Sequence, residues 1–168
     1  LGDYYFERAD FKKAEGYFDS LIKLVYRPLL PYAVYKKAWC EFKNGKALES
    51  LTHFKWVIAN EDRLSNKGTM RLRNEALNDI TLPFAQVGEL RPPIEYFKGQ
   101  APERFRLGVE AVANIWHDQG NYKHAMSYFE DLIASDILHV KNSSYEQKIL
   151  ESLVKQNKIS EAVERTFK

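Results

Sequence analysis

One helix–turn–helix template recurs along this chain and restricts the possible folds more than any other feature of the sequence. Its clearest copy surrounds Gly120, with apolar or small residues 4, 7, 8 and 11 positions before the glycine and 2, 5, 9 and 12 positions after it. Intervals of three and four residues place such side chains on one face of a helix. The pattern therefore predicts two antiparallel helices whose apolar faces meet across a tight turn. The residues concerned are Val109, Val112, Ala113, Trp116, Tyr122, Ala125, Phe129 and Leu132.

The template fits the chain five times. The predicted turn residues are Ala9, Gly45, Gly88, Gly120 and Asn157, at spacings of 36, 43, 32 and 37 residues. Five positions after the turn, four copies carry a small residue, namely Ala14, Ser50, Ala125 and Ala162. Nine positions after it, four copies carry an aromatic residue, namely Phe18, Phe54, Phe97 and Phe129. The small residue lets two crossing helices approach closely, and the aromatic ring fills the wider space one turn further on. We therefore predict copies over residues 1–28, 31–60, 69–100, 102–138 and 143–168, the first and last truncated.

The residues of these copies resemble the tetratricopeptide repeat. Leu1-Gly2-x-x-Tyr5 precedes a turn and Ala14-x-x-x-Phe18 follows it, and such units recur at roughly 34-residue spacing in that family. The resemblance covers nearly the whole chain. It implies an all-α, right-handed superhelical solenoid of antiparallel helix hairpins without strands, in which the first helix of each copy lines a concave groove.

A narrower resemblance concerns copy two. Residues 35–45 are similar to repeats of bacterial outer-membrane assembly lipoproteins and gliding-motility complexes. This similarity implies a periplasmic or cell-envelope location rather than a cytoplasmic one. The chain begins at Leu1 and shows no signal peptide, so we expect it to be part of a longer protein.

Three local signals predict where the helices start, bend or stop. Pro83 falls inside the first helix of copy three and should kink it, because proline has no amide hydrogen for the helical ladder. The polar stretch Asn60–Gly68 accounts for the long second spacing and is predicted to be a loop. The sequence Ser143-Ser144-Tyr145-Glu146 is typical of a capping box and predicts that Ser143 caps the helix of copy five.

Composition and charge exclude several classes of partner. The 25 basic and 23 acidic residues leave a net charge of +2, whereas a large nucleic-acid surface usually needs a clear basic excess. We therefore expect no nucleic-acid partner. No apolar run approaches the roughly 18 residues of a membrane helix, so no membrane insertion is expected within this segment.

The sequence contains no recognisable catalytic or metal-binding constellation. No two of its histidines, His53, His117, His124 and His139, stand three or four residues apart, so no helix presents a histidine pair to a metal. Cys40 is the single cysteine, has no CxxC partner and is expected to be a small buried residue. No glycine-rich phosphate loop is present. We therefore expect neither catalytic residues, metal nor cofactor.

The template also predicts a binding surface. In each copy, a second stripe of the first helix is rotated by more than about 100° from the core stripe. By the family resemblance, this stripe faces the groove. The candidate partner-binding residues on it are Phe6, Tyr32, Tyr35, Trp39, Phe42, Lys43, Asn78, Glu110, Asn114 and His117.

Copy two allows two registers. Its stripe carries four aromatic residues, which are typical anchors of peptide grooves. The same register, however, puts Lys37 and Glu41 on the core face. A shift of one residue would instead make Tyr35, Trp39 and Phe42 core residues, so the sequence leaves groove and core open.

The leading hypothesis is a non-enzymatic scaffold that binds a peptide or partner protein, within a multiprotein assembly. One alternative is a structural spacer that stacks end to end in a bacterial envelope complex, with self-association through exposed terminal repeats. Another is the non-catalytic solenoid of a larger enzyme.

Overall fold

The computed structural model describes residues 1–24, 27–64 and 72–167, the side chains of 61–64 excepted, and shows α-helices and turns but no strand there. It divides into two compact units, Leu1–Gly88 and Glu89–Lys168. The helices of the first unit are α1 (Gly2–Glu7), α2 (Phe11–Lys23), α3 (Leu30–Lys43), α4 (Ala47–Leu64), α5 (Arg73–Asp79) and α6 (Thr81–Val87). Those of the second are α7 (Arg91–Gln100), α8 (Phe105–Asp118), α9 (Tyr122–Ser135), α10 (Asn142–Lys155) and α11 (Ile159–Thr166). Short 3₁₀ turns at Arg27–Leu29 and Pro102–Arg104 precede α3 and α8. The predicted all-α, helical-repeat class is confirmed.

All five predicted turn residues have a left-handed backbone. The φ angles are +59° at Ala9, +79° at Gly45, +77° at Gly88, +78° at Gly120 and +61° at Asn157. Four of the turns close with the same pair of hydrogen bonds. At Gly120, for example, its amide donates to the His117 carbonyl (3.0 Å) and the Asn121 amide to the Trp116 carbonyl (2.8 Å). This is the Schellman arrangement, which satisfies the last carbonyls of a helix. At Gly88 the amide instead bonds the Phe84 carbonyl, four residues earlier (3.2 Å).

The core contains the residues that the template places five and nine positions after the turn. The small residues five positions after the turn and the aromatic rings nine positions after it are all buried. In the first unit, Phe18 packs with Ala14 and Cys40. In the second, the ring of Phe129 stacks on Tyr145 with centroids 5.6 Å apart, and Trp116 meets the edge of Tyr128 at 4.8 Å. The spacing rule therefore selected these core positions correctly, whereas Leu1 is 80% exposed and Tyr122, two positions after Gly120, is only partly buried.

A glycine makes close helix packing possible in the second unit. A Cβ atom on Gly108 of α8 would lie 2.3 Å from the ring of Phe97 in α7. Because Phe97 is completely buried, its ring has no free space into which to move. Because residue 108 is glycine, α8 can approach α7 more closely than any side chain at this position would allow.

The predicted kink at Pro83 is confirmed as a break. α5 ends at Asp79 and α6 begins at Thr81, so the two helices are separated by Ile80. Proline 83 has no amide hydrogen for the carbonyl of Asp79, four residues earlier, and the helical ladder is interrupted at this point.

Two local predictions were wrong. The capping box at Ser143–Glu146 does not form, since α10 starts at Asn142 and its N-cap residue, Lys141, makes no side-chain cap. The Asn142 side chain instead donates to the Asp136 carbonyl (2.8 Å), and Glu146 binds Arg165. The predicted loop at Asn60–Gly68 begins too early, because α4 continues to Leu64; residues 65–71 lie outside the described part.

Candidate partner-binding surface

The aromatic side chains of α3 are held on one side by the neighbouring helices. The Tyr35 hydroxyl and the Trp39 indole N–H both donate to one carboxylate oxygen of Asp79 on α5, at 2.5 and 3.0 Å. Both rings also pack edge-on against the buried ring of Phe54 on α4, with centroids 5.8 and 6.0 Å apart. Each nevertheless keeps part of its surface in solvent. The two rings therefore occupy fixed positions while one edge remains accessible.

The structure decides the register of copy two. Val34, Ala38 and Glu41 are buried, whereas Tyr35 and Trp39 are only partly so, and this matches the unshifted template. The one-residue shift is wrong. The shift would have kept the charged side chains of Lys37 and Glu41 out of the core, but these side chains are paired with each other and with neighbouring side chains.

Glu41, only 3% exposed, lies within a small polar cluster. One of its oxygens is 2.7 Å from Nδ1 of His53 on α4, and the other is 3.8 Å from the Lys37 ammonium. That ammonium also binds Asp19 on α2. His53 on α4 and Lys37 on α3 thus compensate a carboxylate that burial alone would disfavour.

Two lysines lie over the exposed aromatic faces. The ammonium of Lys36 is 4.2 Å from the ring centroid of Phe6 and 5.7 Å from that of Tyr32. The ammonium of Lys43 is 5.5 Å from the ring centroid of Trp39 and 5.8 Å from that of Phe42. Both pairs fall within the usual range of a cation–π contact. We call the stripe formed by Phe6, Tyr32, Tyr35, Lys36, Trp39, Phe42 and Lys43 the aromatic stripe.

The two lysines differ in their ionic partners. Lys36 lies 3.6 Å from the carboxylate of Asp3, which also accepts a hydrogen bond from the Tyr32 hydroxyl. Lys43 is exposed and has no carboxylate partner among the described residues. A partner's anionic group could therefore bind Lys43 without first breaking an ion pair.

Burial and hydrogen bonding raise the pKa values of Tyr32 and Tyr35, the two tyrosines of the stripe. Burial first, and then the hydrogen bond to Asp79, raise the pKa of Tyr35 above its usual value. The pKa of Tyr32 is raised in the same way, with Asp3 as the acceptor. Both phenols therefore stay protonated near neutral pH and keep their hydroxyl groups directed at the carboxylates.

Asn78 lies beside this stripe without belonging to the aromatic cluster. Its side chain is exposed on α5, one residue before Asp79, and its backbone carbonyl accepts a 2.7 Å hydrogen bond from the Thr81 hydroxyl. The first unit thus brings together seven of the ten candidate residues: Phe6, Tyr32, Tyr35, Trp39, Phe42, Lys43 and, at the margin, Asn78.

The other three candidates lie on α8 in the second unit. Both oxygens of Glu110 are 2.9 Å from the ammonium of Lys141, and Glu110 also accepts a 3.0 Å bond from the Tyr145 hydroxyl. That bond and, above all, burial raise the pKa of Tyr145 to about 12. Glu110 is therefore occupied by internal partners.

Asn114 and His117 are less well satisfied. The side-chain oxygen of Asn114 and Nε2 of His117 are shielded from solvent and make no hydrogen bond within the described part of the chain. Nε2 of His117 lies 3.8 Å from a Glu151 oxygen on α10, and the imidazole packs edge-on against Tyr122 and Phe129. A partner would reach these two polar atoms only after their side chains rotate.

Sequence reasoning missed two residues that shape the stripe. Lys36 could have been found, because it lies four residues after Tyr32 on the same helix face, as Lys43 does after Trp39. Asp79 could not, since its role depends on hydrogen bonds to α3 side chains that lie 40 and 44 residues earlier in the chain. Among the described residues, no group of three or more His, Cys, Asp or Glu side chains is arranged to hold a metal ion, and no helix is long and apolar enough to cross a membrane.

Comparison with known proteins gives a structural likeness only. No family model and no curated protein matches the sequence. A Podosopora anserina putative kinesin light chain with nearly identical TPR-like repeats superimposes with a TM-score of 0.55 at 12% identity. The match covers 99% of this chain and 88% of that chain. A point variant of the same protein gives a TM-score of 0.56 at 13% identity. The C-terminal part of a TPR repeat-containing protein from Cytophaga hutchinsonii gives 0.52 at 13% identity, over 98% of this chain and 60% of that one. At such low identity the likeness concerns the fold, and the fold of this chain is that of the tetratricopeptide-like helical repeats.

Proposed function

We propose that this chain is a non-enzymatic interaction module that binds a peptide or an extended segment of a partner protein along the aromatic stripe. The observation that carries the proposal is the fixing of Tyr35 and Trp39 by Asp79 and Phe54, while part of each ring stays exposed. Aromatic side chains held in this way lose little conformational entropy when a partner binds. They are also the residues most often found as binding hot spots.

Lys43 supports the same proposal and indicates what the partner carries. Its ammonium lies over Trp39 and Phe42 without a carboxylate partner from the described residues. A ligand that places an apolar side chain against these rings and a carboxylate beside Lys43 would contact both the aromatic rings and the ammonium group. The ion pair alone is worth little at an exposed position, so the rings supply most of the affinity.

Selection from a random peptide library on the immobilised protein tests the proposal. Titration of the enriched peptides should show that Phe42→Ala weakens binding by about 2 kcal/mol, as expected of an aromatic anchor. Phe167→Ala is the matched control, since Phe167 is an exposed aromatic residue on the last turn of the chain, outside the stripe. Failure to enrich any peptide, or equal losses in the two variants, would refute the proposal.

We extend the proposal to Asn114 and His117 as polar contacts for the same class of partner, and to Glu110 provided that it exchanges Lys141 or Tyr145 for a group of the partner. The unsatisfied atoms of Asn114 and His117 support it, because a bound peptide offers the amide and carbonyl groups that they lack. Peptides that bind this set should lose affinity to His117→Ala, whereas Lys123→Ala, at an exposed position of α9, should leave their binding unchanged.

A second candidate function is a spacer that associates end to end with other copies. Large apolar side chains are exposed on both terminal helices, among them Leu1, Tyr4, Ile159, Val163 and Phe167. Exposed apolar surface of this kind favours association with another protein surface. Sedimentation over a wide concentration range tests it, since a constant monomer mass would exclude this function. A bacterial-envelope setting and a place within a larger enzyme stay predictions.

A further inference from the structure

The second unit contains a cavity that is separate from the candidate residues above. It measures about 850 Å³ and lies between α9, α10 and α11. Its floor is apolar and includes Met126 of α9 and Ile149 and Leu153 of α10. A cavity of this volume is in the range that binds ligands or partner side chains in other proteins.

The rim of this cavity is acidic. Among the described residues that line it are Glu130, Glu146, Glu161 and Glu164 and one basic residue, Arg165. Such a rim repels anionic groups and attracts cationic ones. The cavity therefore selects by charge as well as by its apolar floor.

Arg165 demonstrates that the rim binds a guanidinium group. Its Nε and Nη2 atoms lie 2.7 and 3.1 Å from the two oxygens of Glu146, and Nη1 is 2.9 Å from Glu130. This is the forked geometry that arginine adopts with carboxylates. Two of the four glutamates are thus occupied by the chain's own arginine.

The two glutamates of α11 remain for a ligand. Glu164 has no side-chain partner among the described residues, and Glu161 is joined only to Lys158, the N-cap residue of α11, at 3.2 Å. That pair is between two exposed side chains three residues apart and contributes little. An incoming cation could therefore bind Glu161 and Glu164 while Arg165 keeps its place.

We infer that this cavity is a second binding site, and that its ligand is a basic amphipathic helix of a partner protein. Apolar side chains of that helix would enter the space above Met126, Ile149 and Leu153, and its lysine or arginine residues would pair with Glu161 and Glu164. This is the helix-in-groove mode of recognition, with the apolar face giving affinity and the charges giving selectivity. The inference is independent of the aromatic stripe, which lies in the other unit.

A pair of synthetic peptides provides the probe. One is a fluorescently labelled helical peptide made of leucine and arginine in heptads, and the other carries glutamine in place of every arginine. Fluorescence anisotropy titrations would be made against the full chain, against Glu161→Gln/Glu164→Gln and against the control Glu89→Gln/Glu95→Gln. The control removes the same charge from exposed positions of the same unit that do not line the cavity.

We expect the arginine peptide to bind the full chain and to lose about tenfold in affinity to the Glu161→Gln/Glu164→Gln variant, as for two partly exposed ion pairs. The control should bind as the unchanged chain does. Equal losses of affinity in the two double variants would show that only the net charge of the chain matters. Equal affinity of the chain for the glutamine and arginine peptides would show that the acidic rim does not select a basic ligand. Either result, or no binding of the arginine peptide, would overturn the inference. So would a concentration-dependent dimer that excludes the peptide, because a second copy would then be the occupant.

Discussion

Substitution between glycine and alanine tests the helix and turn assignments. The structure predicts that a change from glycine to alanine raises the free energy of unfolding inside a helix and lowers it in a left-handed turn. Gly16 lies inside α2 and Gly120 in a left-handed turn, and a Cβ atom at either site would meet nothing within 4 Å. Any effect on stability must therefore come from the backbone. Gly108 differs from both, since its added Cβ would lie 2.3 Å from Phe97. Ala9 is the inverse case, with alanine already in the left-handed conformation.

The magnitudes follow from these environments. Gly16→Ala should stabilise the protein by about 0.8–1 kcal/mol, the difference in helix propensity. In Gly120→Ala, the left-handed conformation strains the folded state by about 1–2 kcal/mol. Alanine also reduces the conformational entropy of the unfolded chain, which offsets about 0.4–1 kcal/mol of this strain, so the variant should be less stable by about 1 kcal/mol. Ala9→Gly should stabilise by a similar amount. Gly108→Ala should cost about 1–3 kcal/mol through overpacking.

The assay is urea unfolding followed by circular dichroism and tryptophan fluorescence. Ala9→Gly and Gly16→Ala should raise the free energy of unfolding, and Gly108→Ala and Gly120→Ala should lower it. A Gly120→Ala variant more stable than the unchanged chain would refute the left-handed turn at residue 120, and a less stable Gly16→Ala variant would refute the helix at residue 16. A stabilising Gly108→Ala would refute the packing of α8 on Phe97.

Further results are expected at three other residues: Phe129, Trp39 and Cys40. Phe129→Ala should cost about 3–5 kcal/mol in urea unfolding, because the ring is fully buried against Tyr145; an unchanged free energy would contradict this. Trp39→Phe removes the indole donor to Asp79 and should cost about 1–2 kcal/mol, whereas a cost near zero would show that this hydrogen bond is absent in solution. Burial raises the pKa of Cys40 to about 12, so the native thiol should not react with a disulfide reagent near pH 8 until urea is added. The stability contributed by the neutral thiol is present below the unfolded pKa near 9 and should be lost as the pH rises toward 12, a loss that Cys40→Ala should lack.

Sequence reasoning succeeded where the signal is local and periodic. Gly120 and Asn157 were found because few residues accept a left-handed backbone, and Phe129 because its spacing from the turn repeats in four copies. Such features depend on the chain within about three helix turns of the residue concerned.

It failed where a residue depends on a distant partner. Asp79 accepts bonds from side chains 40 and 44 residues away, so no window around it could indicate that role. The burial of Glu41 looked unfavourable because its partner His53 lies on the next helix. The capping box at Ser143 failed because α10 begins one residue earlier, with Lys141 as its N-cap residue, and Glu146 binds the distant Arg165 on α11.

The most direct test of the proposed binding surface uses the indole resonances of the three tryptophans in a nitrogen-15-labelled sample. Assignment by single Trp→Phe variants would give one signal each for Trp39, Trp56 and Trp116. On titration with a library-selected peptide, the Trp39 indole signal should move in proportion to occupancy, because its ring edge is exposed in the aromatic stripe. The Trp116 signal should stay in place, since that ring is only 1% exposed and lies in the other unit. A peptide that binds while the Trp39 signal remains unchanged would contradict the account.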